Sequence, residues 1–316
     1  MAIIVTSKRN TIDRRTFLKG AAPLAIGLRA MARGQSPSER GPFGEEDIPA
    51  ARQQLLIQVN AERAHAGLSL LELDDLAGKV ANEHARDMVG GEFLSHWGSD
   101  GRKPYHRYSF AGGTDALQEN VSSAENIQSI DRAGVLKDLY EMHQSMFDET
   151  PPDDGHRKTI LFPRNTHVGF GIARQGSRLR LDELYLSRYV EMDPVPRQVK
   201  TKTGVLLSGK MLNRNYLLNG IEMFYEPLPS PPAIEWLRKP RSYGMPEVDQ
   251  RFLPRLPEPY FYSDGGNGSI AIDSTRRFRV RVGLSKKPGI NTLIVWLKAG
   301  PNGTAFPATQ LCIRVE

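Results

Sequence analysis

The stretch Asp74–His96, DDLAGKVANEHARDMVGGEFLSH, carries two signals in succession. Asp74 is suited to accept a hydrogen bond from the first unpaired amides of a helix. Behind it Leu76, Val80, His84 and Met88 recur every four residues, which lays an apolar stripe along one helical face. Gly90-Gly91 ends the period. Phe93-Leu94-Ser95-His96 then leaves a histidine in a loop, where an imidazole is more available to a ligand than on a packed face. His84, inside the stripe, is expected in the core.

Before this stretch, Pro49 suits a first helical turn, and Leu55, Val59 and the aliphatic stem of Arg63 follow at helical spacing until Gly67. After it, a third helix is predicted from about Asp131 to Phe147, with Val135, Leu139 and His143 on one side. The period then shortens to two. Val168, Phe170 and Ile172 alternate, Gln175-Gly176 turns the chain, and Leu179 to Val190 alternates again, which reads as a hairpin. Helices interleaved with a hairpin predict an α/β/α sandwich over residues 49–192. Asp193-Pro194-Val195-Pro196 breaks the pattern, so a linker is expected at 193–200. From 201 to 316 no helix is evident. Short runs such as Val205–Leu207, Phe278–Val282 and Leu311–Val315, separated by Pro- and Gly-rich turns, predict an all-β antiparallel sandwich as an accessory domain.

The 316-residue chain has a formal net charge of +6, but six basic residues and the single acid Asp13 lie in residues 1–32. Without them 36 basic residues face 35 acidic ones. The charge balance therefore gives no argument for a nucleic-acid partner. Within residues 1–32 a charged start precedes the apolar run Gly20–Leu28, too short for the roughly 20 residues that span a bilayer. Ala30-Met31-Ala32 is a small-x-small cleavage pattern, so removal of the leader is expected to leave no transmembrane segment. Asp13-Arg14-Arg15-Thr16-Phe17-Leu18-Lys19 resembles the twin-arginine signal, with Asp where Ser or Thr is usual. That resemblance implies export of a folded protein to the periplasm or beyond. Residues 33–48 read as a flexible spacer. Cys312 is the only cysteine; it allows no intrachain disulfide and is read as structural.

All seven histidines, at 65, 84, 96, 106, 143, 156 and 167, precede the linker. His156 is read, like His96, as a loop residue. Six pieces stand in a recognisable order: Val59-Asn60-Ala61-Glu62-Arg63 with Ala66-Gly67-Leu68, Ala81–Met88, Phe93–His96, Glu119-Asn120-Val121, Gly155-His156-Arg157, and Val168-Gly169-Phe170-Gly171. Through them Leu55–Val190 resembles the CAP superfamily of cysteine-rich secretory proteins, antigen 5 and pathogenesis-related proteins, in its disulfide-free bacterial form. The resemblance implies an α/β/α sandwich with two histidines and two acids in one cleft, where some members bind zinc or another divalent cation. His96, Glu119 and His156 match three of those positions. Glu149, in Met146-Phe147-Asp148-Glu149, is taken as the fourth, with Asp148 and Glu141 left open, because Met146 stands where the family often carries Trp.

Two neutral imidazoles and carboxylate oxygens suit a zinc-like ion. The same groups can also bond one another as a polar cluster without metal. The first functional reading is a binding module for a small molecule, lipid, glycan or protein. The second is a metal-assisted hydrolase of envelope polymers or peptides, with His96 and His156 holding the ion and Glu119 or Glu149 as ligand or base. No G-x-S-x-G elbow, H-E-x-x-H or phosphate-binding glycine loop is present. A third reading gives Trp236, Tyr243, Tyr260, Phe261 and Tyr262 a contact surface of their own, or else has them close the sandwich or the domain interface. Arg277, Arg279 and Arg281 alternate with apolar residues and read as a solvated outer face. Asp264–Gly268 reads as a plain turn.

Overall fold

The computed structural model describes residues 4–7 and 41–316. The remainder of the expected leader and the start of the expected spacer lie outside the described residues. The helices are α1 Ile48–His65, α2 Asp75–Gly90, α3 Pro104–Phe110, α4 Arg132–Phe147, α5 Gly155–Ile160 and α6 Ile234–Leu237. The strands of the first half are β1 Ile4–Ser7, β2 Glu72–Leu73, β3 Ala116–Ala124, β4 His167–Gln175 and β5 Arg178–Ser187, hydrogen-bonded in the order β1-β3-β5-β4-β2.

Caps set the ends of two of the predicted helices. Asp74 accepts from the Ala77 amide at 2.7 Å and Asp131 from the Gly134 amide at 2.8 Å, each satisfying a donor that a first turn leaves unpaired. Alternation then divides the side chains of the sheet. Val168, Phe170, Ile172, Leu179, Leu181 and Tyr185 pack with Leu55 and Val59 of α1 and Val135, Leu139 and Met142 of α4. Leu117, Leu184 and Leu186 pack instead with Ala77, Val80 and Ala81 of α2 and Tyr105 and Tyr108 of α3. Gly169 and Gly171 let α2 lie directly on β4, since a Cβ at either would overlap the helix backbone at Ala77 to Asn82. Arg63, expected to lend only its stem, is wholly buried. Its guanidinium donates to the carbonyls of Ser69 at 2.9 Å, Ile160 at 2.6 Å and Phe162 at 3.1 Å.

The run from Leu179 to Val190 is not one strand. β5 stops at Ser187, and β6 Val190–Met192 pairs with β8 Gly204–Met211 in another sheet. Arg188 causes the break: it turns away to bond Asp74 at 2.5 Å and Asp115 at 2.9 Å. The other strands are β7 Gln198–Val199, β9 Tyr216–Glu226, β10 Val248–Phe252, β11 Ala271–Ile272, β12 Arg277–Gly283, β13 Gly289–Ala299, β14 Ala305–Pro307 and β15 Leu311–Val315. They form two largely antiparallel sheets, β10-β9-β13-β15-β7 with β14 on β13, and β11-β12-β8-β6. Leu207, Phe278 and Val280 from one sheet meet Ile221, Met223, Leu293 and Ile313 from the other in a single core. One helical turn, α6, interrupts this otherwise β region. Among the described residues no helix is long and apolar enough to cross a membrane.

Candidate functional site

The Gly90-Gly91 stop sends the chain into the loop that carries His96, and His84 of α2 pins that loop through Nε2 and the Ser95 carbonyl at 2.8 Å. His96 is fully buried, with Nδ1 2.8 Å from Glu119 Oε2 on β3. The other Glu119 oxygen is paired with Arg107 of α3, which also donates to the His96 carbonyl at 2.8 Å. Burial pushes the Glu119 carboxyl up, but Arg107 and the bond from His96 prevail and hold it below the usual range.

His156 is not in a loop. It is the second residue of α5, a six-residue helix too short to show a period. Its Nδ1 lies 2.6 Å from Glu149 Oε1, and its amide donates to Glu149 Oε2 at 2.9 Å. Burial above all lowers the His156 pKa against the pull of Glu149, and the neighbouring His96 lowers it further. Asn120, next to Glu119 on β3, donates to the His156 carbonyl at 3.2 Å. Of the acids left open, Glu141 pairs with Lys137 and Asp148 accepts from Gln144; neither reaches an imidazole.

The four residues thus stand as two imidazole–carboxylate couples in which each Nδ1 is engaged. Both Nε2 atoms are buried without a hydrogen-bond partner. A carboxylate on one ring nitrogen fixes the tautomer and leaves the opposite lone pair for a metal or a donor. Each ring therefore presents a free Nε2 of the kind a zinc-like ion takes, with its carboxylate orienting the imidazole.

The second half of the chain covers this site. The Tyr243 ring meets the His96 imidazole edge-on, with centroids 4.9 Å apart, and its hydroxyl accepts from the Glu119 amide at 3.2 Å. Two residues along β3, the Leu117 amide donates to Gln310 Oε1 at 2.8 Å. Side chains of the second half therefore satisfy consecutive outward amides of a strand edge that would otherwise invite pairing. Trp236 stacks edge-on with Trp97 at 5.1 Å, and Glu226 accepts from Tyr105 at 2.7 Å and pairs with Lys103. Cys312 lies buried in the same contact, its amide on Ser109 Oγ at 2.7 Å and its thiol pushed up to about 12 by burial. Of the aromatics given a surface role, Tyr260 and Phe261 are exposed, whereas Trp236 and Tyr243 join the contact. Beside Tyr243 a cavity of 310 Å³ is lined by Tyr105, Gln118, Thr159, Gly244 and Met245 among others.

Sequence reasoning missed Arg107, whose only signal was Pro104 at a first helical turn. The expected burial of His143 on the packed side of its helix is found, but the period gives no sign of its partners. His143 is buried but lies between Glu183 Oε1 at 2.7 Å and Glu62 Oε2 at 2.9 Å. Burial alone would lower its pKa, yet the two carboxylates raise it to about 10.

Residues 56–187 match the family described as the cysteine-rich secretory protein family, CAP. The uncharacterized protein YkwD of Bacillus subtilis (strain 168) is 26% identical over 131 residues, which are 41% of this chain and 45% of that protein. The chain thus spans less than half of that relative's length. Among solved structures, an outer surface protein from Borrelia burgdorferi is 17% identical, with a TM-score of 0.37, covering 47% of this chain and 98% of that one. An extracellular protein containing a SCP domain from Bacillus anthracis str. Ames is 22% identical, with a TM-score of 0.35, covering 47% of this chain and 45% of that one.

Proposed function

We propose, from the match of residues 56–187 to the CAP family, that this chain is a CAP superfamily member acting as an exported binding module. Its ligand site consists of the couples His96–Glu119 and His156–Glu149 on an α/β/α sandwich, and a divalent ion, zinc in the first place, is held by the two Nε2 atoms. One observation carries this reading: both Nε2 atoms are buried and unpartnered. A buried acceptor left unsatisfied is destabilising by about 1–3 kcal/mol, and an ion relieves two at once. Two protein nitrogens fill only part of a four-coordinate shell. The rest is open to a carboxylate, hydroxyl or phosphate oxygen of a small molecule, lipid, glycan or protein.

The Tyr243 ring against His96 and its hydroxyl on the Glu119 amide make the second domain the cover of the site. The leader read at residues 1–32 supports delivery outside the cytoplasm, with the twin-arginine pattern as its route. Metal analysis of full-length protein purified without chelator tests the reading. The His96→Ala, His156→Ala double variant is expected to hold one zinc ion fewer per chain than the parent. Equal metal content in two equally folded proteins removes the site.

A further inference from the structure

A second set of donors lies on the α2 side of the sheet and shares Glu119 with the couples described above. Asp182 of β5 sits directly across the ladder from Val121, so its side chain shares a face with Glu119. It is fully buried, and neither carboxylate oxygen has a hydrogen-bond partner. His84 of α2, 1% exposed, uses Nε2 on the Ser95 carbonyl, and its Nδ1 is buried without a partner. One atom each of His84, Glu119 and Asp182 lies within 4.8 Å of the others. Donors that share an ion at about 2.1 Å stand no more than about 4.2 Å apart.

The charges of the neighbourhood point the same way. Arg107 is already matched by Glu119. The His84 ring meets the Ser95 carbonyl through Nε2, which leaves the Nδ1 lone pair free. Asp182 therefore has no cation of its own within hydrogen-bonding distance. His84 also lines a 420 Å³ pocket on the α2–α3 side, where Glu83, Asp87 and Asp100 stand beside Lys79, Arg102 and Arg107.

We propose that His84 Nδ1, Asp182 and Glu119 form a second divalent-metal site, distinct from the His96–His156 site and reached from the α2–α3 side. One imidazole nitrogen with two carboxylate oxygens takes a first-row transition ion, zinc or manganese, ahead of calcium or magnesium, which prefer oxygen alone. Bound there, the ion ties α2 to β3 and β5 and so fixes the Glu119 carboxylate that orients His96.

Zinc binding to the full chain tests the site, with zinc chloride as the probe and metal content read per chain after gel filtration. Asp182→Asn and His84→Gln are each expected to lose one bound zinc that the His96→Ala, His156→Ala variant keeps. Asp182→Asn is also expected to lose the part of the zinc-induced rise in melting temperature that this double variant retains. Anomalous scattering at the zinc edge from wild-type crystals places the ion without any variant, and a peak between His84 Nδ1 and Asp182 is expected. No peak there at saturating zinc, or unchanged zinc content in folded Asp182→Asn and His84→Gln, overturns the proposal. Loss of zinc only in the His96, His156 variant overturns it and leaves the first site standing. Loss only in Asp182→Asn and His84→Gln does the reverse.

Discussion

His143 gives the most demanding test of the electrostatics, because its ring bonds two carboxylates that neither proposed metal site uses as ligands. The ring is wholly buried between Glu183 and Glu62, and Tyr185 donates to the far oxygen of Glu183 at 2.8 Å. Its pKa is about 10 in the fold against about 6.5 in an unfolded chain. A raised pKa means that the folded state binds the proton more tightly, so the stabilisation is complete below pH 6.5 and drains away as pH rises through 10. Linkage gives a loss of about 3 kcal/mol between pH 7 and pH 9.5, which lowers the urea midpoint by roughly 1 M at a slope near 3 kcal/mol per M. The assay is urea unfolding of the parent and His143→Gln at both pH values. The glutamine can bond both carboxylates but carries no charge. Ionisation of the Cys312 thiol in the unfolded chain affects both proteins equally and cancels in the difference. The stability gap between the two should shrink by about 3 kcal/mol over that range. Parallel pH profiles would show that no imidazolium exists in the fold, and the reasoning from the two carboxylates would be wrong.

Other perturbations test the remaining contacts. Gly171→Ala forces a methyl into the α2 backbone at Ala81 and should destabilise by about 3 kcal/mol, the upper end for overpacking, as read from the thermal midpoint; an unchanged midpoint would mean that α2 does not lie on β4. Arg63→Met keeps the volume but strands the carbonyls of Ser69, Ile160 and Phe162, for a loss of about 3 kcal/mol or more, whereas a neutral result in urea would deny those bonds. Tyr243→Ala removes the ring over His96, so His96 should react with diethylpyrocarbonate many times faster, as followed by mass spectrometry; equal rates would show that Tyr243 is not the cover. The Cys312 thiol, buried and pushed up to about 12, should resist Ellman's reagent until the chain unfolds, and rapid reaction in native protein would show that the domain contact opens.

What the sequence disclosed and what it withheld divide along a physical line. Helices α1, α2 and α4 and the hairpin of β4 and β5 were legible because each repeats a period over nine or more residues, long enough for an apolar face to stand out. Helices α3 and α5, of seven and six residues, complete no second repeat, and so His156 looked like a loop residue and Arg107 went unnoticed. The end of β5 was hidden for another reason: alternation continues through Val190, and only the pull of Asp74 and Asp115 on Arg188, which come from distant segments, diverts the chain. The same holds at the site. Local patterns can say that His84 and His143 are buried, because burial follows from a face. They cannot say that His143 meets two carboxylates and that Asp182 stands near His84, because Glu183 and Asp182 are adjacent on β5 and point to opposite faces of the sheet. That adjacency is a signal the sequence did contain: two acids in succession within the run Leu179–Leu186 place one carboxyl group on each side of a buried strand. Each therefore needs a partner on its own side. Glu183 has His143, and Asp182, with His84 and Glu119 at hand, has the donors for an ion.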